Sequence, residues 1–161
     1  MTQAKNQPAV AAVLELKDAL EALPGSARLS NADVEAVYAL AHQLVAQARY
    51  ETAFRYFSLL TLYRPTEVRY LRGLALCHRM LERYGEAMNV YAFLATIEPH
   101  EPQHSLDIAE CLLLQRDLEE ARRTVELVIR YCQQGAAGGE RVRKRAEALA
   151  GLMAAKGEAT A

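Results

Sequence analysis

The stretch ARYETAFRYFSLLTLYRP, residues 48–65, recurs twice in altered form along this chain. Thirty-four residues later the chain reads ERYGEAMNVYAFLATIEP (82–99), and after another thirty-four it reads RDLEEARRTVELVIRYCQ (116–133). Rows of thirty-four residues that begin at Val34, Val68 and Pro102 align without a gap. An internal repeat of this length is typical of proteins in which one supersecondary unit stacks on the next.

Small residues recur at fixed places in these rows and predict a pair of antiparallel helices in each. Because alanine lets two helix backbones approach closely, we expect these columns to mark helix crossings, with Phe57 and Tyr91 filling the space between successive pairs. Pro65 and Pro99 end the second helix of their rows, since proline lacks the amide proton. The third row ends at Gln133, before the glycines of GAAGGE (135–140), where we expect that helix to stop. The two alanine columns are Ala41, Ala75 and Ala109, and Ala53, Ala87 and Ala121.

Two segments flank the rows. Residues 8–23 have apolar residues at helical spacing and predict an amphipathic helix, after which Ser30 and Asp33 form an N-cap pattern for the next helix. Residues 140–156 predict a final helix that caps the array. The sequence thus predicts an all-α solenoid of three helix pairs with flanking N- and C-terminal helices. The expected parts are an N-terminal helix and linker (1–29), three repeats (30–133, with rows 34–67, 68–101 and 102–133), and a glycine linker, capping helix and flexible tail (134–161).

Composition excludes several classes of protein. The chain has 161 residues, of which 52% are hydrophobic and 24% charged, and its net charge is −1. This balance is that of a globular protein and gives no basic footprint for nucleic acid. No apolar run approaches the roughly 20 residues of a membrane span. Three cysteines, an odd number, without a signal-peptide pattern lead us to expect a reducing, cytoplasmic compartment.

Residues that could support catalysis or metal binding are few. His100 and His104 stand four apart, as metal ligands on a helix do, but Pro102 lies between them and we expect no acidic or cysteine partner on their face. Cys77 and Cys111 share one repeat position and are interpreted as packing residues. The sequence contains no glycine-rich phosphate loop, nucleophile elbow or carboxylate pair. We therefore expect neither an enzyme nor a bound cofactor or metal.

A binding surface is predicted on the first helix of each row. One ridge of that helix points away from the packed columns and toward the concave face, where solenoids bind partners. This ridge mixes apolar, aromatic and charged residues, and exposed apolar lining marks a partner site. The predicted groove residues are Tyr38, His42 and Val45 in the first row, Arg72, Leu76 and Arg79 in the second, and Leu106, Glu110 and Leu113 in the third.

The rows resemble the tetratricopeptide repeat, whose pattern has a small residue in the first helix, alanine early in the second, an aromatic residue four positions on, and a closing proline. The family's aromatic residue near the start of the first helix is replaced by Val37, Leu71 and Ser105.

A narrower resemblance covers residues 30–133. The segments VYALAHQLVAQARYETAFRYF (37–57) and EPQHSLDIAECLLLQRDLEEA (101–121), above all AECLL at 109–113, are similar to the class II chaperones of bacterial type III secretion, the translocator chaperones.

That resemblance implies a bacterial cytoplasmic chaperone that keeps hydrophobic, pore-forming translocators soluble until export, without a nucleotide. The family binds an extended translocator segment along its concave groove, and its first groove aromatic falls on Tyr38. Two further family aromatics fall on His42 and Val45, which depart from the pattern. It also implies a weak homodimer through the N-terminal helix. The alternatives are another tetratricopeptide adaptor that docks a peptide or a chain terminus, and a structural oligomer with no cargo.

Overall fold

The computed structural model describes residues 22, 30–135 and 139–158. Across this part of the chain it has seven α-helices and no strand, so the predicted all-α fold built from helix pairs is confirmed. Of the N-terminal helix predicted at 8–23, only Ala22 is among the described residues, and the rest lies outside them. The helices, numbered α1 to α7 in chain order, are Asn31–Ala46, Tyr50–Tyr63, Val68–Met80, Tyr84–Ile97, Gln103–Leu114, Leu118–Gln133 and Gly139–Glu158.

Two helix ends follow directly from their sequence signals. At the start of α1, the Ser30 hydroxyl accepts a hydrogen bond from the Asp33 amide at 3.2 Å, and the Asp33 carboxylate accepts one from the Ser30 amide at 3.1 Å. The hydrogen bonds from Ser30 lower the pKa of Asp33. At the other end of the repeats, α6 ends at Gln133, and Gly135 follows with a φ of 90°. Glycine adopts that left-handed conformation without steric cost.

The turn inside each row is closed by a residue in the left-handed conformation. After α1, the Arg49 amide donates to the Leu44 carbonyl at 2.9 Å, which is the bond of a Schellman motif. This turn favours glycine at its left-handed position, yet none of the three rows has one there. The three residues, each thirty-four apart, are Ala48, Glu82 and Arg116, with φ values of 56°, 59° and 66°.

The chain divides into two compact units, Met1–Leu81 and Glu82–Ala161. The core of the first unit is built by α1, α2 and α3. Ala41 and Ala53 have no exposed surface there, as expected for residues at a helix crossing. Its buried residues are Val34, Ala41, Leu44, Ala53, Phe57, Leu60, Tyr70 and Cys77.

The second unit has its own core, to which the C-terminal helix contributes. Val142, Ala146 and Met153 of α7 lie in the same cluster as residues of α5 and α6. The ion pair between Arg145 and Glu110, 2.6 Å apart, adds a polar contact between α7 and α5. The other members of this cluster are Leu106, Ala109, Leu112, Ala121, Val125, Val128 and Cys132.

The three cysteines are buried as free thiols. Burial raises the pKa of Cys77 to about 11, which keeps the thiol protonated and poorly nucleophilic. Cys111 has no exposed surface. Both observations agree with the packing role predicted for these residues.

None of the described helices combines the length and apolar character that crossing a bilayer requires.

Candidate functional site

The first unit contains a cleft of about 270 Å³ between α1 and α3. Five of its eight lining residues belong to the predicted groove ridge. Aromatic and aliphatic groups form much of its wall, and the charged groups are arginines of α3. The lining residues are Tyr38, His42, Val45, Phe57, Arg69, Arg72, Gly73 and Leu76.

The Tyr38 ring is the centre of an aromatic cluster at this cleft. Its centroid lies 5.5 Å from that of Tyr70 and 6.2 Å from that of Phe57, which it meets edge to face. The imidazole of His42, one turn further along α1, has its centroid 6.1 Å away. These separations are those at which aromatic pairs attract one another beyond simple burial. The ring is therefore held in place by its neighbours and only partly exposed.

Arg69 covers one part of this cluster. Its guanidinium carbon lies 4.9 Å from the Tyr38 ring centroid and 5.6 Å from the Tyr70 centroid. The same group donates to both carboxylate oxygens of Glu35, at 2.9 and 3.3 Å, and through Nε to Glu67 at 3.3 Å. The hydrogen bond from Arg69 lowers the pKa of Glu35. One side chain thus connects two helices and two aromatic rings at the edge of the cleft.

Phe57 reaches the cleft from α2 because Gly73 has no side chain. A Cβ atom built on Gly73 would overlap three carbons of the Phe57 ring. The ring is only 2% exposed, yet it lines the cleft. Val45 and Leu76, both half-buried, add aliphatic surface beside it. The arrangement is a shallow apolar recess with polar groups at its edge, which suits an apolar side chain of a peptide.

The predicted ridge residues of the first two rows mostly come together here. Tyr38, His42 and Val45 line the cleft from α1, and Arg72 and Leu76 line it from α3. Arg79 lies on the last turn of α3, half-buried, and is not among the lining residues. Their role in binding a partner stays a prediction.

The third row departs from the predicted pattern. Leu106 was expected on an exposed ridge, but it has no exposed surface and belongs to the core of the second unit. Leu113 is half-buried and packs against the same core. Glu110 pairs with Arg145 of the C-terminal helix. The expectation of exposure is therefore wrong for Leu106, because this row shares its core with α7, a helix outside the repeat pattern.

Three cleft residues were missed from the sequence: Phe57, Arg69 and Gly73. Phe57 was assigned to packing alone, and only the small residue at position 73 indicated that its ring could approach α3 closely enough to line the cleft. Arg69 stands thirty-four residues after Glu35, so the two occupy the same column with opposite charges. That pairing of equivalent positions was a readable signal for a contact between neighbouring rows.

The histidines considered for metal binding have separate surroundings. His104 is 1% exposed, and its Nε2 lies 2.8 Å from the Glu98 carboxylate. This corrects the expectation that no acidic group approaches it. Nδ1 of His100 lies 3.5 Å from the Tyr131 hydroxyl. Over residues 30–135 and 139–158, no three His, Cys, Asp or Glu side chains are grouped as metal ligands would be.

Part of this chain is similar in sequence to known proteins. Residues 79–137 match the family model described as tetratricopeptide repeat. The low calcium response locus protein H of Yersinia pestis is 30% identical over 93 residues, which is 58% of this chain and 55% of that protein. The matched region spans about half the length of this curated relative.

Solved structures extend the similarity over most of the chain. PcrH in complex with the chaperone binding region of PopD has a TM-score of 0.69 and 26% identity, covering 80% of this chain and 96% of PcrH. The type III secretion chaperone SycD of Yersinia enterocolitica, in complex with a peptide of the translocator YopD, has a TM-score of 0.68 and 24% identity, covering 80% and 98%. The second likeness concerns the fold. This chain has a tetratricopeptide-repeat fold and, as its sequence motifs predicted, is similar to the translocator chaperones of type III secretion.

Proposed function

We propose that this protein is a type III secretion chaperone that binds a segment of a hydrophobic translocator in the α1–α3 cleft and keeps that translocator soluble before export. The observation on which the proposal rests is the cleft itself, in which ridge residues predicted from sequence surround an aromatic cluster centred on Tyr38. The similarity to PcrH, which was crystallised with the chaperone binding region of PopD, supports it.

The strength of binding expected from such a cleft is moderate. Each buried Leu- or Val-sized anchor contributes about 1.5–3 kcal/mol. An extended peptide also loses conformational entropy when it is ordered on the chaperone. Two or three anchors then give micromolar affinity, about −8 kcal/mol. Such affinity suits a cargo that has to leave the chaperone again.

The same similarity supports our proposals on catalysis, cofactors and cellular location. The proteins that this chain resembles are chaperones, so we assign it no catalytic role, no cofactor and a place in the bacterial cytoplasm. SycD has been crystallised as an alternative dimer. A weak homodimer of this chain through residues 8–23 is part of the proposal. Deleting residues 1–23 is then expected to lower the mass measured by light scattering, and an unchanged mass would remove the dimer from the proposal.

The alternative is an adaptor that docks the carboxylate end of a chain. Arg72 at the cleft favours such a ligand, since guanidinium groups bind carboxylates well. Tyr38, Val45 and Leu76 make the cleft more apolar than a carboxylate clamp requires. An amidated and a free-acid peptide of the same sequence distinguish the two functions, because only the adaptor needs the free carboxylate.

The test combines solubility with affinity. Co-expression with PopD is expected to leave the translocator in the soluble fraction and bound to this protein, and its chaperone binding region is expected to bind the purified chain. Tyr38→Glu and Leu76→Glu place a charge where an apolar anchor must be desolvated, so each should weaken binding of that segment at least tenfold.

Leu62→Glu is the matched control, because Leu62 is 74% exposed on α2 and outside the cleft. Circular dichroism should give the same helix content for all three variants. If the segment binds none of the proteins, or binds the cleft variants as it binds the parent, the proposed function or its site is overturned.

A further inference from the structure

Arg69 and Glu35 join equivalent positions of two successive rows. They stand thirty-four residues apart in sequence, one at the second residue of α3 and the other at the fifth residue of α1. The two hydrogen bonds between them use both carboxylate oxygens, a geometry that fixes direction as well as distance. This contact therefore ties together the two helices that form the walls of the cleft.

The same guanidinium lies over the rings of two tyrosines. It is closer to Tyr38, at 4.9 Å, than to Tyr70, at 5.6 Å. Both distances are within the range in which a cation is attracted to the ring. Tyr70 has no exposed surface and belongs to the core, so it gives the stack a fixed base. Tyr38, half-buried at the cleft, is the member that a ligand can reach.

We infer that Arg69 is a positioning residue for cargo recognition: it holds the Tyr38 ring and the spacing of α1 and α3 in the arrangement that receives an apolar anchor. This inference rests on the proposed function. It assigns to the cleft an ion pair that determines its shape, in addition to the residues that touch the peptide.

The geometry favours an action through Tyr38 over direct contact with cargo. Nε and both terminal nitrogens of Arg69 already donate to Glu35 or Glu67. Its guanidinium carbon lies over the Tyr38 ring. A planar guanidinium can donate two parallel hydrogen bonds to Glu35 and lie over the tyrosine rings at the same time. A lysine ammonium provides neither the paired hydrogen bonds nor the planar surface. The conservative Arg69→Lys change therefore separates positioning from charge.

The experiment titrates the chaperone binding region of PopD into the full chain and its variants. Arg69→Gln is expected to weaken binding about fivefold, because it loses both the contact with the tyrosine rings and the paired hydrogen bonds to Glu35. Arg69→Lys should be almost as weak, and Glu35→Gln should lose about twofold to threefold. Arg123→Gln is the matched control, an exposed arginine of α6 paired with Glu119 and Glu120, and should bind as the parent does.

A double-mutant comparison supplies the readout that a general loss of stability would not give. In a Tyr38→Leu background, Arg69→Gln should lose only the twofold to threefold expected of Glu35→Gln, because the rest of its effect passes through the Tyr38 ring. Persistent additivity, full rescue by Arg69→Lys, or parental affinity of Arg69→Gln would each overturn the inference. If the parent chain itself does not bind the segment, the proposed function fails and this inference fails with it, whereas equal binding by parent and Arg69→Gln overturns this inference alone.

Discussion

The contact between Gly73 and Phe57 brings an aromatic ring of α2 to the wall of the cleft. The Phe57 ring of α2 lies where a Cβ atom on Gly73 of α3 would be, so any larger residue at position 73 would overlap it. The glycine is not needed for an unusual backbone conformation, since it lies inside a regular helix. Its role is therefore steric: glycine lowers the intrinsic helix propensity of α3 but leaves room for the Phe57 ring.

Gly73→Ala tests this role. The added methyl group displaces the Phe57 ring from a buried position, so we expect the free energy of unfolding to fall by about 1–3 kcal/mol. Gly151→Ala is the matched control, because Gly151 lies inside α7 with nothing within 4 Å of an added Cβ. That change should raise stability by about 0.5–1 kcal/mol. Thermal unfolding of both variants gives the comparison, and a melting temperature of Gly73→Ala at or above that of the parent would contradict the overlap.

Leu106 shows that the position of a residue in the repeat does not by itself predict its burial. The alanine columns were predicted because every row faces the same neighbour, and Ala41, Ala75 and Ala109 all have no exposed surface. Leu106 occupies the column of Tyr38 and Arg72, yet it is fully buried whereas Arg72 is exposed. Its surroundings include α7, which follows a glycine linker and does not continue the 34-residue spacing. The position of a residue in the repeat therefore predicts the direction of its side chain. Its burial in the last row depends on the helix that packs against that row.

Leu106→Glu is expected to damage the fold instead of the cleft. A charge in the core of the second unit has no partner and should lower the free energy of unfolding by about 3 kcal/mol or more. Leu76→Glu, half-buried at the cleft, should change it much less. Chemical denaturation of the two variants decides the point, and equal stability would mean that Leu106 is exposed after all.

The turn inside each row contains a residue whose backbone conformation is unfavourable for its type. Ala48, Glu82 and Arg116 all have positive φ, a conformation that costs residues with a Cβ roughly 1–2 kcal/mol. The sequence gives no sign of this strain, because none of the three is glycine or asparagine. Hydrogen bonds that close the turn, such as that from the Asp117 amide to the Leu112 carbonyl at 2.9 Å, offset it. The ends of the second helices were predicted from Pro65, Pro99 and the glycines after Gln133, but these left-handed residues were not.

Arg116→Gly should relieve the strain in the third turn. We expect a gain of about 0.5–1 kcal/mol, smaller than the full steric cost because glycine also increases the entropy of the unfolded chain. Arg122→Gly, an exposed position inside α6, is the matched control and should lose about 1 kcal/mol. Differential scanning calorimetry measures both, and a loss of stability in Arg116→Gly would show that its side chain contributes more than its backbone costs.

At the scale of the whole molecule, the two units divide the predicted ridge between different tasks. Five of the nine ridge residues line the cleft of the first unit, where an aromatic cluster and an ion pair shape the recess. In the second unit the corresponding positions serve its own core and the contact with α7. The sequence predicted the ridge by direction alone. The opposite charges of Glu35 and Arg69 in one repeat column were readable as a contact between rows, whereas the contacts made by α7 lie outside the repeat pattern.

The pair formed by Glu110 and Arg145 tests this division directly. Glu110 has a side chain only 16% exposed and Arg145 is 53% exposed, so solvent screens the pair and its contribution to stability should be at most about 1 kcal/mol. Glu110→Gln and Arg145→Gln should each lower the melting temperature slightly, and the double variant should lose less than the sum, because the two residues interact. Affinity for the chaperone binding region of PopD should stay within twofold of the parent in all three variants. A loss of fivefold or more in Glu110→Gln with unchanged helix content would mean that the third row contacts cargo after all, and that recognition extends beyond the first unit.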